Sequence, residues 1–202
     1  VKRYLTIAIG LAFLVALPLA AQDYTPKAEL ELGYSYVRFS PSIPQSSSRS
    51  LNGGGGAMNI VLNRYFGIKA ELLGYGSQTA ATVLPGGTVK TSGNLFTYLF
   101  GPEIKYRTKH YSPFAEVLLG GAHSSTFAKL YQASGMTGAA PSQNAFALAT
   151  GGGLDLYVSK HIAIRPVQID YLMTRFTNPF TGTNNQNNFR YQAGIVFVIG
   201  EK

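Results

Sequence analysis

The chain has 202 residues, with 17 Lys and Arg against nine Asp and Glu, three His and no Cys. That length suits one domain, and the missing cysteine excludes disulfides, thiolate metal sites and thiol nucleophiles. A formal charge of +8 would raise nucleic acid as a partner for a cytosolic protein, but the chain opens on a secretion-type segment, so no nucleic acid is expected. Lys2 and Arg3 precede an apolar stretch from Leu5 to Leu17, and Pro18-Leu19-Ala20-Ala21 offers a small-residue cleavage site. The expectation is a signal peptide over 1–21 and a single domain over 22–202. The apolar run is shorter than the ~20 residues a spanning helix needs.

Eight segments then alternate apolar with small or polar residues, as strands with two unlike faces do. The first runs from Ala28 to Phe39, with Leu30, Leu32, Tyr34 and Tyr36 on one face and Glu29, Glu31, Gly33 and Ser35 on the other. The second, about Leu51 to Leu62, sets Met58 and Ile60 against Ala57, Asn59 and Val61. It begins in Gly53–Gly56, which a narrow barrel can use to relieve crowding. The third is Phe66–Ser77, with Lys69, Glu71 and Tyr75 opposite Ile68, Ala70 and Leu72. The fourth, Ser92–Tyr106, places Thr97, Gly101, Glu103 and Lys105 opposite Phe96, Tyr98, Phe100 and Ile104. The fifth, Ser112 to about Ser124, places Phe114, Glu116, Gly120 and Ala122 opposite Ala115, Val117 and Leu119.

The sixth, Ala145–Val158, sets Ala147, Ala149, Gly151, Gly153 and Asp155 against Phe146, Leu148, Leu154 and Leu156. The seventh, Ile162–Phe176, breaks phase. One extra residue at Pro166 restores it, because proline cannot donate a ladder hydrogen bond and is tolerated at bulges. Arg165, Gln168 and Asp170 then share the inner face. The eighth, Asn188–Ile199, has Phe189, Tyr191, Ala193, Ile195 and Phe197 outside and Arg190, Gln192 and Gly194 inside. Short turns follow the second, fourth and sixth segments. Long polar loops, 40–50, 78–91, 125–144 and 177–187, follow the others.

The expected fold is all-β: an eight-stranded antiparallel up-and-down transmembrane β-barrel, apolar outside and polar inside, with short periplasmic turns and longer outer loops. It belongs in the outer membrane of a Gram-negative (diderm) bacterium. With no disulfide available, closure of the sheet must supply stability. Eight strands leave an interior that side chains fill, so inward charges must meet one another. Glu71, Glu103, Glu116, Asp155 and Arg165 fall at similar distances from the turns, with Lys69 and Lys105 slightly lower and Asp170 on the same inner face. They are expected to form a structural ion-pair cluster that blocks free passage. Arg38 and Arg175 have outward parity near the outer rim, where arginine suits lipid phosphates or simply snorkels.

Other motifs carry less. His123-Ser124-Ser125 contains a His-x-Ser element that resembles the lipid A deacylases, in which a His activates a Ser and an acid orients the His. No carboxylate lies between Glu116 and Asp155, and those two point inward, so an interfacial polar residue is the expected role. His110 and His161 sit in turns, and no metal or cofactor is expected. Gly151–Gly153 lacks the Lys-Ser/Thr of a phosphate loop.

Gly-Tyr-Ser-Tyr at 33–36, Tyr-Leu-Phe-Gly-Pro-Glu at 98–103, Gly-Gly-Gly-Leu-Asp at 151–155, Ala-Ile-Arg-Pro-Val-Gln-Ile-Asp-Tyr at 163–171 and the closing Asn-Phe-Arg-Tyr-Gln-Ala-Gly-Ile-Val-Phe resemble the small outer-membrane β-barrel proteins of the OmpA-like and opacity-like kind. The resemblance spans Ala28 to Gly200. It implies eight strands, insertion by the barrel-assembly machinery and, as in some members, a lumenal Arg–carboxylate cluster that Arg165, Glu71 and Glu116 would match. The expected partners are outer-membrane lipid, that machinery and an unidentified extracellular ligand at the loops. The expected role is structural or surface-interacting and non-enzymatic. The alternatives are a low-conductance pore for small solutes, a lipid A-modifying hydrolase, and a soluble lipocalin-like barrel with its apolar faces inward.

Overall fold

In the computed structural model, residues 25–39, 49–77, 80–84, 87–91, 94–125, 143–177 and 186–201 are described. The expected signal segment lies outside them, as do most of the outer connections. The strands are β1 (Pro26–Phe39), β2 (Arg49–Val61), β3 (Phe66–Ser77), β4 (Ala80–Leu84), β5 (Gly87–Thr91), β6 (Asn94–Lys105), β7 (Tyr111–Ser124), β8 (Gln143–Tyr157), β9 (Ile162–Thr174) and β10 (Gln186–Glu201). Eight of them close into one antiparallel barrel in the order β1-β10-β9-β8-β7-β6-β3-β2. The seam between first and last strands is fully paired, from Pro26 opposite Glu201 to Arg38 opposite Phe189. Closure thus leaves no sheet edge unpaired.

β4 and β5 form a separate two-stranded sheet, Ala80 opposite Thr91 and Leu84 opposite Gly87. The connection expected as an irregular polar loop over 78–91 is therefore a hairpin. Its sequence explains this: Thr, Val and Leu on either side of Pro85-Gly86-Gly87 put β-formers around turn residues.

Alternation is visible directly in burial. Along β6 every outward residue from Asn94 to Ile104 is exposed and every inward one from Leu95 to Lys105 is buried. Leu32, Met58, Ile60, Leu72, Phe100, Val117, Leu119, Ile169 and Ile195 are each 45–60% exposed. A soluble protein does not leave so continuous an apolar belt in water; this is the lipid-facing band of a membrane barrel. The soluble lipocalin-like alternative requires these faces inward and is overturned.

The phase change in β9 occurs at the proline. Arg165 pairs with Gly194 and Gln168 with Gln192, while Leu154 pairs with Val167 and Leu156 with Ile164. One extra β9 residue is absorbed there, so Arg165, Gln168 and Asp170 are all buried. Pro166 loses no donor at this bulge, and its carbonyl accepts from the Tyr191 hydroxyl at 2.8 Å. The β2 glycines answer a close approach: a Cβ at Gly55 would collide with the Leu72 carbonyl, and one at Gly53 with the Gly74 carbonyl.

One feature departs from the simple two-faced pattern. In the outer half of the barrel the inward face carries apolar residues beside buried polar ones such as Thr97, Thr174, Gln186 and Asn188. Val37, Leu51, Leu73, Tyr75, Leu95, Leu99, Leu118, Leu172 and Phe176 pack there with Ala122, Ala147 and Ala149. Inward charge runs from the short turns up to Arg190, which pairs with Val37 across the closing seam. Val117, midway along β7 between Tyr111 and His123, and Leu118 beside it face opposite media. Val117→Arg is expected to destabilise the barrel by about 2–4 kcal/mol, as for a cation at the bilayer midplane. Leu118→Ala is expected to cost about 2–5 kcal/mol through a cavity. Urea unfolding in phospholipid vesicles measures both.

Candidate functional site

Among the described residues, five cations (Lys69, Lys105, Arg107, Arg165, Arg190) and seven carboxylates (Glu29, Glu31, Glu71, Glu103, Glu116, Asp155, Asp170) are buried inside the barrel. They come from seven of the eight barrel strands and one turn, and the strand alternation aims each inward. A charge taken out of water costs several kcal/mol unless it is paired, and each of these is.

Nearest the turns, Lys105 Nζ donates to Glu29 Oε2 at 2.5 Å and Asp155 Oδ2 at 2.9 Å, and lies 3.2 Å from Glu103 Oε1. Arg107 folds back from the β6–β7 turn. Its Nε and Nη2 donate to Glu29 Oε1 at 3.2 and 3.1 Å, and its Nη1 donates to the Arg64 carbonyl at 3.0 Å. Asn59 Nδ2 donates to Glu103 Oε1 at 2.7 Å.

Further in, Arg165 grips Asp155 through two bonds, Nε to Oδ1 at 2.7 Å and Nη2 to Oδ2 at 3.1 Å, the strong bidentate form of this pair. Its Nη1 donates to Glu31 at 2.5 Å and to Gln168 Oε1 at 2.8 Å. Lys69 Nζ lies 3.0 Å from Glu31 and donates to Glu116 at 2.9 Å. Above these, Arg190 donates from Nε to Asp170 at 2.8 Å and from Nη1 to Glu71 at 2.5 Å, with Nη2 3.7 Å from Glu116. Gln168 and Gln192 knit this last group together, Gln168 Nε2 to Glu116 at 2.9 Å and Gln192 Nε2 to Glu71 at 3.1 Å.

Glu103 and Glu116 stand directly opposite one another on β6 and β7, a like-charge pairing that opposes folding by itself. Lys105 and Lys69 neutralise one member each. The Phe114 ring lies amid the cations: Arg165 Cζ is 4.0 Å, Lys105 Nζ 5.3 Å and Lys69 Nζ 5.7 Å from its centroid, within cation–π range.

All eight residues expected in the cluster lie in this network. Sequence reasoning left out four members. Glu29, Glu31 and Arg190 had readable inward parity, but their height relative to other strands was not readable. Arg107 sits in a turn, where no parity applies. The geometry also changes one pairing that the resemblance implied. Arg190, not Arg165, stands between Glu71 and Glu116, while Arg165 serves Glu31 and Asp155.

Arg38 and Arg175 are exposed on the outer wall. His123 is half-buried there, and its Nδ1 lies 2.8 Å from Asn144 Oδ1. An amide occupies the place where a hydrolase of this type would hold an acid. Ser125 Oγ accepts from the Asn94 amide at 3.1 Å.

Lys105 holds three carboxylates at once. Lys105→Met is expected to destabilise the barrel by about 3–5 kcal/mol, read as a lower urea midpoint at unchanged slope. Adding Asp155→Asn should restore part of that loss, because one orphaned charge disappears.

Residues 7–197 match the family described as outer membrane protein beta-barrel domain. Comparison with curated protein sequences found no match. Among solved structures, the chain is similar to Neisserial surface protein A, with TM-score 0.64 and 13% identity over 86% of this chain and 97% of that one. It is also similar to OprG of Pseudomonas aeruginosa (TM-score 0.54, 12% identity, 88% and 97% covered) and to Ail, the attachment invasion locus protein of Yersinia pestis (TM-score 0.53, 15% identity, 85% and 97% covered). At such identities these likenesses carry the fold. With the family match over most of its length, a closed eight-stranded barrel and an apolar outer belt, the chain belongs to the outer membrane protein beta-barrel domain family and resides in the outer membrane.

Proposed function

We propose that this protein is a non-enzymatic outer-membrane barrel whose lumen is closed by its ion-pair cluster and whose work is done at the outer surface. The observation that carries this reading is the lumenal network itself. Charges paired across the barrel from seven strands resist separation, and side chains such as Leu73, Leu99, Leu118, Leu172 and Phe176 pack the space above them. Glu71, Glu103, Lys105, Glu116, Asp155, Arg165, Lys69 and Asp170 act structurally, with Glu29, Glu31, Arg107 and Arg190 as further members. Domain 22–202, left after removal of residues 1–21, is the barrel, inserted by the barrel-assembly machinery.

The surface role is supported by where the acids are. Every carboxylate whose side chain is described is buried. The long outer connections carry Arg49, Lys90 and Lys129 and no Asp or Glu. Arg38 and Arg175 add two exposed cations at the outer rim, placed for lipid phosphates. An acidic extracellular ligand suits such a face. Ail, which shares the fold, is known in complex with the heparin analogue sucrose octasulfate.

A low-conductance pore is the second reading. It is favoured by the excess of lumenal carboxylates over cations, which would attract small cations, and by Asp170 Oδ1 and Arg190 Nη2, buried atoms that lack a hydrogen-bond partner. Single-channel recording in planar bilayers separates the two. The refolded wild type is expected to be silent and Arg165→Ala to leak, since that change frees Glu31 and Asp155. Steady wild-type conductance would overturn closure and make the pore the function.

A further inference from the structure

β1 and β9 reach the outer rim at an exposed arginine each, Arg38 and Arg175. They are the outer-rim cations among the residues whose side chains are described. β10 runs between them. The ladder puts Arg38 opposite Phe189 and Phe189 opposite Tyr171, which lies below Arg175 on the same face. The Arg175 amide extends that ladder by donating to the Phe146 carbonyl at 3.0 Å. Strand tilt brings the two arginines nearly level. A path across ladder partners once round the barrel leaves β1 at Ala28 and rejoins it at Arg38, so each strand crossed climbs by about 1.25 residues. Two such steps lift Arg38 well above Tyr171, and Arg175 stands only about 4 Å higher still. With strands about 4.8 Å apart and residues about 3.3 Å apart along them, the two Cα atoms lie roughly 16 Å from one another over the wall.

No carboxylate of this chain is placed to neutralise either arginine. Of the nine acids, seven are inside the barrel. The other two are Glu201, which closes β10 at the short-turn end, and Asp23, just before β1 begins at that same end. The outer connections hold none. Between the arginines the wall is polar at its upper edge and apolar beneath. On β10, Asn187 is exposed and its Oδ1 accepts from the Tyr171 hydroxyl at 2.6 Å. That bond leaves the Asn187 Nδ2 to donate outward. Beside Arg38, the Tyr36 hydroxyl and Ser50 Oγ lie 2.9 Å apart. Below this edge Phe189, Tyr171 and Phe146 are each 44–48% exposed, the aromatic girdle of a membrane interface.

We propose that the wall across β9, β10 and β1 binds one diphosphorylated glycolipid of the outer leaflet, with a phosphate at each arginine, the saccharide over Asn187 and acyl chains along Phe189 and Tyr171. The proposal rests on the reading that this protein works at its outer surface, and it names the lipid that the rim arginines meet. A guanidinium matches phosphate through paired hydrogen bonds. At their separation the two arginines serve two phosphates rather than one, which selects this headgroup over a glycerophospholipid with a single phosphate. The amide and hydroxyl tips at the same edge suit saccharide hydroxyls. Both arginines stand at strand ends bordering the apolar belt, not at loop tips, which selects a lipid over a soluble acidic polysaccharide.

The test is native mass spectrometry of the full refolded protein in detergent, titrated with diphosphoryl lipid A, its monophosphoryl form and phosphatidylglycerol. Arg38→Gln, Arg175→Gln and the charge-keeping Arg38→Lys/Arg175→Lys run beside the wild type, with Lys27→Gln/Lys109→Gln at the opposite rim as a control. Folding of each is checked by its unheated gel mobility. The wild type is expected to bind the diphosphoryl lipid about fivefold tighter than the monophosphoryl form, the effect of one cation on one anionic group at a membrane surface. Either glutamine change should bring the two lipids level, while the charge-keeping and opposite-rim variants keep the preference. Equal binding of the two by the wild type would overturn the proposal, as would a preference that survives both glutamine changes. Phosphatidylglycerol held as tightly as the diphosphoryl lipid would overturn it by removing the saccharide and the second phosphate from recognition. Loss of the preference in Lys27→Gln/Lys109→Gln would do so by moving the site to the opposite rim. Displacement of the bound lipid by soluble heparin would do so by assigning the arginines to an acidic polysaccharide. Conductance through the lumen moves none of these readouts, so this proposal and the closed-lumen reading fail separately.

Discussion

The narrowness of an eight-stranded barrel governs everything else in this protein. Such an interior holds side chains and little more, so an inward ionisable group has only other inward groups as partners. Seven carboxylates and five cations meet that condition by bonding across the lumen. The same constraint accounts for the small residues. Gly33 lies opposite both Gly194 and Gly55, where a side chain would meet the neighbouring backbone. It accounts too for the outer half of the lumen, where Leu and Ala fill space without needing partners and Thr174, Gln186 and Asn188 hydrogen-bond to one another or to backbone.

The two halves of the lumen divide the physical labour. Apolar packing around Leu73, Leu99, Leu118 and Leu172 stabilises through burial and is indifferent to which partner it meets. The ionic half is specific. Replacing one member leaves its partners charged and buried, so the network disfavours any register but its own; a one-residue slip of a strand would turn its charges out to lipid. Ser35 and Tyr75, hydrogen-bonded at 2.9 Å, link the two regions. Outside, the protein presents lipid with a nearly uncharged wall, since its described acids are all inside and its exposed cations lie at the two rims.

This distribution gives a coherent account of a membrane protein with a basic composition. The chain has 17 Lys and Arg against nine Asp and Glu, and the lumen takes seven of those acids but five of the cations. Lys27, Arg38, Lys109, Lys160 and Arg175 are exposed at the two rims.

Much of this was legible from residue order alone. A period of two, eight times repeated, sets which side of each strand faces lipid, because successive side chains must point to opposite faces. It placed Glu71, Glu116, Asp155 and Asp170 inside, and Pro166 marked the phase change that keeps Arg165 and Asp170 on one face. What parity cannot supply is stagger between strands, which depends on how neighbouring strands pair. Only that pairing decided that Arg190 stands between Glu71 and Glu116, that Arg165 reaches Glu31, and that Phe114 sits among three cations. Turn residues escape periodicity altogether, so the inward fold of Arg107 onto Glu29 belongs to tertiary structure, as does the hairpin of β4 and β5. Alternation is a local property of one strand; the meeting of charges across a closed barrel is a property of all eight at once.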